Sequence, residues 1–144
     1  MIEQHTNMWE VDCDVICITT NGTTKKNGAC VMGRGCALQA REKFPGIDEI
    51  LGELIKQNGN RVQIVFGFSK LIIAFPVKHN WYELADINLI EKSTKQLVRL
   101  TNFYGWAKVV LPRPGCNNGG LNWENDVKSV LLKYLDDRFI IVSR

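Results

Sequence analysis

Apolar residues in this chain come in short unbroken runs that alternate with stretches spaced for helices. Val15-Ile16-Cys17-Ile18 is a continuous apolar run, the pattern of a strand covered on both faces. From Arg34 to Phe44, Ala37, Leu38, Arg41 and Phe44 recur at helical spacing, and Pro45-Gly46 ends the helix. Ile47, Ile50, Leu51, Leu54 and Ile55 mark a second helix, terminated by Asn58-Gly59-Asn60. Val62 to Phe68 and Leu71 to Val77 are rich in β-branched and aromatic side chains, and Gly67-Phe68-Ser69-Lys70 between them suits a hairpin. Leu84, Ile87, Ile90, Leu97 and Val98 predict a long third helix over about Leu84 to Asn102. Val109-Val110-Leu111 reads as another buried strand. Trp123, Val127, Val130, Leu131 and Tyr134 stripe a last helix that Asn122 can cap, and Phe139 to Val142 is a final strand.

The order is roughly β-β-α-α-β-β-α-β-α-β, without internal repeats or low-complexity linkers. Strands alternating with helices predict an α/β fold: a three-layer α/β/α sandwich with a mixed, largely parallel sheet of about six strands. In such sheets ligands bind beyond the carboxyl ends of the strands. That rule selects the loops after Ile18, Phe75 and Leu111.

Composition narrows the picture. The 144 residues fit one domain, 1–144, and the 45% apolar and 23% charged shares are those of a folded globular chain. Eighteen Lys and Arg against fifteen Asp and Glu leave +3, too little to indicate nucleic-acid binding by composition. No apolar run approaches the ~20 residues of a membrane span, so no membrane partner is expected. The first residues, Met1-Ile2-Glu3-Gln4-His5, have neither the basic nor the apolar block of a secretory leader. Five cysteines, an odd number without a CxxC, suit a reducing cytoplasm better than a disulfide framework. The two histidines, His5 and His79, lie away from the cysteines in sequence, so neither a metal nor another cofactor is expected.

The three selected loops carry the chemistry. In the first, Gly33 and Gly35 flank Arg34 just before a helix, where small residues let backbone amides approach a phosphate and the helix end adds positive potential. A tight turn with close helix packing is the plainer alternative. In the second, Pro76-Val77-Lys78-His79-Asn80-Trp81, Lys78 is either a surface charge or an amine made nucleophilic by desolvation. His79 is either an acid–base group or a structural histidine. The third, Pro112 to Trp123, has three glycines and two asparagines between Gly115 and Gly120, a second amide-lined cradle. Cys116 in it reads as a small buried filler. No GxxxxGK[ST] is present, and Gly33-Arg34-Gly35-Cys36-Ala37-Leu38 does not complete GxGxxG. Two cradles without either motif favour a diphosphate held by backbone amides with no obligatory magnesium.

With Val31-Met32-Gly33-Arg34-Gly35-Cys36-Ala37-Leu38-Gln39-Ala40, Phe75-Pro76-Val77-Lys78-His79-Asn80-Trp81 and Pro112-Arg113-Pro114-Gly115-Cys116-Asn117-Asn118-Gly119-Gly120-Leu121-Asn122-Trp123 in this order, the chain resembles a macro domain, the ADP-ribose-binding fold, over nearly its whole length. It is most similar in these motifs to the class of the terminal ADP-ribose glycohydrolase and the antitoxin-type enzymes that remove ADP-ribose from DNA. The resemblance implies an ADP-ribose site made of Asp14 on the adenine, Asn21 on the distal ribose, Met32, Gly33, Arg34 and Gly35 in one diphosphate loop, and Gly115, Cys116, Asn117, Asn118, Gly119, Gly120 and Leu121 in the other. It implies Lys78 as the catalytic lysine. Gly119 stands where some members have an aspartate that assists the lysine. The first loop is longer than the family pattern, with Gly22 to Cys30, including Lys25 and Lys26, inserted between Asn21 and Val31.

The implied function is a monomeric hydrolase, an ADP-ribosyl glycohydrolase, that takes ADP-ribose from a modified DNA, RNA or protein with the lysine as nucleophile. A non-catalytic ADP-ribose-binding module and an enzyme acting on a small derivative such as ADP-ribose 1″-phosphate share the same pocket and are the alternatives.

Overall fold

A computed structural model describes residues 1–67 and 69–144. The strands are β1 (Ile2–His5), β2 (Val15–Thr20), β3 (Gln63–Gly67), β4 (Leu71–Pro76), β5 (Val109–Pro112) and β6 (Phe139–Ser143). The helices are α1 (Gly35–Lys43), α2 (Ile47–Asn58), α3 (Ile87–Tyr104) and α4 (Lys128–Leu132). All six strands form one sheet in the order β1-β6-β5-β2-β4-β3. Every neighbouring pair is parallel except β3 with β4, which is antiparallel and shifts register between Ile64 and Phe66. The expected hairpin is there, although its residue Phe68 lies outside the described residues.

Side-chain alternation along the strands supplies two apolar faces, each covered by helices. Cys17, Ile73, Phe75, Val109 and Leu111 pack on one face with Ile90 and Leu97 of α3 and Leu131 of α4. Ile16, Ile18, Ile72, Ala74 and Val110 pack on the other with Ala37 and Ala40 of α1 and Ile47 and Leu51 of α2. This is the three-layer sandwich. Among the described residues no buried side-chain nitrogen or oxygen lacks a hydrogen-bond partner, and no helix is long and apolar enough to cross a membrane.

Element boundaries differ from the periodicity in two places. The third helix begins at Ile87, because the Asp86 side chain accepts a hydrogen bond from the Asn88 amide and caps it there. Leu84, counted in the stripe, is instead 75% exposed in the preceding turn. The last helix opens as one π turn, Trp123–Val127, before α4, and ends by Leu132. Asn122 does cap it, accepting from the Asn125 amide at 2.9 Å.

The inserted segment 22–30 is folded onto α2. Thr24 bridges Cys30, the Lys25 amide donates to Ala29 O at 2.8 Å, and the Cys30 amide donates to Asp48 O at 2.9 Å. The approach is so close that a Cβ on Gly52 would lie 1.8 Å from Gly28 O. Only glycine allows this contact between loop and helix.

Candidate active site

Five parallel strands end at one edge of the sandwich, and their carboxyl ends surround a cleft of about 730 Å³. That volume lies within the ordinary range of small-molecule sites. Thr19, Thr20 and Asn21 follow β2, Val77, Lys78 and Trp81 follow β4, and Pro112 and Arg113 mark the end of β5. Thr6, Asn7 and Met8 after β1, with Val142, Ser143 and Arg144 at the end of β6, extend it sideways.

The structure gathers most of the residues singled out in the sequence. Asn21, Met32, Gly33, Arg34, Gly35, Lys78, Gly115, Cys116, Asn117, Asn118 and Gly119 all line the cleft. Arg34 precedes α1 without capping it through its side chain, so the first-turn amides of α1 face the cleft with the positive end of the helix dipole. On the opposite wall the loop 113–121 is drawn tight by Leu121 N to Gly115 O at 3.0 Å and by Ala85 N to Gly119 O at 2.9 Å. A Cβ on Gly119 would lie 2.5 Å from Gly115 O and 2.7 Å from the Ala85 Cβ. No side chain, and hence no assisting aspartate, fits at that position without moving the loop.

Three residues of the expected site lie elsewhere. Asp14 precedes β2, at the amino end of the parallel strands, and its carboxylate accepts from the Ala107 and Lys108 amides at 2.8 and 3.0 Å. It ties two loops together at the end of the sheet away from the cleft. Gly120 and Leu121 are outside the lining, with Leu121 packed inward against the core. His79 also points away, its ring nitrogen 2.8 Å from Asp86 Oδ2 at the cap of α3. Sequence reasoning missed the wall formed by Thr6, Asn7, Met8 and the end of β6. The carboxyl-end rule applied to β1 and β6 would have found it.

Asn21 lines the cleft with its amide already engaged. Its Nδ2 donates to Val31 O at 3.0 Å and its Oδ1 accepts from the Thr23 amide at 3.0 Å, which fixes the entry to the insertion. Lys78 Nζ donates to Asn118 O at 3.2 Å and reaches Trp81 O at 3.5 Å, spanning from the second loop to the third. Its backbone is held from behind, where Asn60 Nδ2 donates to Lys78 O at 3.0 Å. Partial burial lowers the lysine pKa below its ordinary value, and the nearby Arg34 charge lowers it further. Burial pushes the Cys116 thiol up to about 11, so it is protonated at neutral pH and no nucleophile.

Charge distinguishes this cleft. Lys25, Arg34, Lys78, Arg113 and Arg144 line it, and no Asp or Glu side chain does so among the described residues. A low-dielectric cleft lined with one sign of charge concentrates ligands of the other. The amide walls and the cations together fit a diphosphate. No group of three or more His, Cys, Asp and Glu side chains among the described residues is placed to hold a metal ion.

No protein-family model matches the chain. It is 29% identical over 102 residues to the DNA ADP-ribosyl glycohydrolase of Mycobacterium tuberculosis, a match covering 66% of this chain and 29% of that protein. The chain thus spans under a third of the length of that curated relative. Among solved structures it superposes on the macrodomain of Mycobacterium tuberculosis DarG with a TM-score of 0.81 at 24% identity, covering 99% of this chain and 97% of that one. It also superposes on Thermosipho africanus DarTG in complex with ADP-ribose, with a TM-score of 0.75 at 20% identity, over 91% of this chain and 38% of that one.

Proposed function

Because this chain is a macro domain by fold, we propose that it binds ADP-ribose in the cleft and hydrolyses it from a modified macromolecule, DNA first among the candidates, with Lys78 as nucleophile. The observation that carries this reading is the Lys78 amine within a cleft that no Asp or Glu side chain lines among the described residues, 3.2 Å from Asn118 O, with its pKa lowered by burial and by Arg34. Lowering enlarges the share of free amine at neutral pH, and only the free amine can attack carbon. The similarity to a relative named DNA ADP-ribosyl glycohydrolase supports DNA as the carrier. The similarity to a fold solved with ADP-ribose supports the ligand.

The chemistry balances as a hydrolysis. The Lys78 nitrogen bonds to the anomeric carbon of the distal ribose while the bond from that carbon to the macromolecule breaks. The departing atom takes the proton that the nitrogen loses. Ring opening leaves an imine, and water adds to it to return ADP-ribose and the free amine. In this reading Arg34 and the amides of Gly33, Gly35 and the 115–119 loop hold the diphosphate, while the wall of Thr6, Asn7 and Met8 takes the adenine end.

The test is release of ADP-ribose from modified DNA, with binding of free ADP-ribose measured by calorimetry. Lys78→Ala and Lys78→Arg should both abolish release and leave ADP-ribose affinity within about threefold, because a guanidinium stays protonated and forms no imine. Borohydride should trap an adduct on the wild type alone. Full activity in Lys78→Ala would remove the lysine mechanism, and absence of ADP-ribose binding would remove the reading altogether.

A further inference from the structure

The insertion 22–30 braces the turn that follows Lys78. The Gly22 amide donates to His79 O at 3.0 Å. Thr23 Oγ1 accepts from the Trp81 amide at 3.0 Å and donates to Asn80 Oδ1 at 3.4 Å. The Glu83 amide closes the turn onto Asn80 O at 3.1 Å. What this bracing holds outward is an aromatic pair. Trp81 is 47% exposed and Tyr82 70% exposed, with ring centroids 5.9 Å apart edge to face. Lining residue Lys25 and its exposed neighbour Lys26 come from the same insertion. The chain has no Asp or Glu from Val15 to Arg41, and the aromatic turn itself carries one carboxylate, Glu83.

Two exposed aromatic rings on a braced turn, with Trp81 lining the same cleft as Lys25 and Lys78, form a surface that is incomplete without a ligand. ADP-ribose held in the cleft does not account for the pair, since Tyr82 lies outside the cleft lining. A single-stranded nucleic acid fits in both respects: its unstacked bases cover aromatic faces, and its phosphates meet lysines. We infer that Trp81 and Tyr82 are a stacking platform for a base neighbouring the ADP-ribosylated one, with Lys25 and Lys26 on the strand's phosphates. This rests on the glycohydrolase reading and names the residues by which that site selects a strand.

The experiment uses the Lys78→Ala background, so that the substrate persists, and compares free ADP-ribose, a single-stranded oligonucleotide ADP-ribosylated on one internal base, and an ADP-ribosylated peptide. The oligonucleotide should bind about tenfold or more tighter than free ADP-ribose, the scale of one or two stacked bases. Adding Trp81→Ala should erase most of that gain and Tyr82→Ala part of it, while Trp81→Phe keeps it. Free ADP-ribose affinity should change less than about twofold in Tyr82→Ala, outside the cleft lining, and should fall less than oligonucleotide affinity does in Trp81→Ala. Lys25→Ala should reduce the salt slope of oligonucleotide binding by about one. The platform is overturned if the oligonucleotide binds no tighter than free ADP-ribose or than the peptide. It is equally overturned if Trp81→Ala weakens all three ligands alike. The wider reading fails separately, if the wild type binds no ADP-ribose.

Discussion

At the scale of single residues, the amine of Lys78 and the charge of Arg34 are coupled. Arg34 disfavours the ammonium form, so its charge helps keep the lysine pKa below the ordinary value near 10.4. In the proposed mechanism the reactive form is the deprotonated one. Turnover should therefore rise with pH and level off above the lysine's pKa, with the bend below the ordinary lysine range. In Arg34→Gln the ammonium regains stability and the bend in kcat should move to higher pH, as a pH–rate profile would show. An unmoved bend would mean that another group titrates. Asp14 gives the opposite kind of prediction. Asp14→Ala removes the acceptor for two backbone amides and should cost about 1 kcal/mol in a denaturant titration. ADP-ribose affinity should be unchanged, because the residue stands at the far end of the sheet from the cleft.

At the scale of elements, the insertion 22–30 behaves as a fixed wall rather than a lid, because hydrogen bonds to α2 and to the turn after Lys78 hold it from two sides. Gly52→Ala tests this. The added methyl would collide with Gly28 O and force the loop off the helix, at a cost of about 1–3 kcal/mol. A lowered Tm should come with a larger fall in release from modified DNA than in affinity for free ADP-ribose. Equal losses in both would mean that the loop serves the ADP-ribose site itself. The two diphosphate cradles also differ as elements. One is the open end of α1, whereas the other is a loop whose following helical turn is already capped by Asn122. Anion affinity on that second side then depends on loop shape, which the crowding around Gly119 enforces.

At the scale of the molecule, the proposed site would draw its binding energy from backbone amides and side-chain cations held by several strand ends at once. ADP-ribose at a hundredfold excess over its Kd should stabilise the fold by about 2.7 kcal/mol, raising Tm in a thermal melt. EDTA should leave that shift unchanged, since in the proposed site amides and arginines take the place a metal ion would have on the diphosphate. AMP, which lacks the second phosphate and ribose, should give a smaller shift. A shift abolished by EDTA, or equal for AMP and ADP-ribose, would contradict this account.

The order of apolar runs was enough to determine the alternation of strands and helices, because covered strands and amphipathic helices each have a period that solvent exclusion imposes. The carboxyl-end rule then located Lys78 and both glycine loops in the linear sequence, and these do meet in one cleft. Local chemistry located the Asn122 cap as well. What the sequence could not decide was set by which strand ends lie side by side. Asp14 and Asn21 flank the same short strand, yet Asp14 falls at its amino end and only Asn21 at the cleft. Thr6, Asn7 and the end of β6 join the site because β1 and β6 run parallel to the central strands, a pairing between opposite termini of the chain. The net charge of +3 gave no sign of a binding surface. Folding separates the charges, placing Lys25, Arg34, Lys78, Arg113 and Arg144 around one cleft with no Asp or Glu side chain in its lining among the described residues, and only that arrangement gives a nearly neutral chain one edge suited to an anionic ligand.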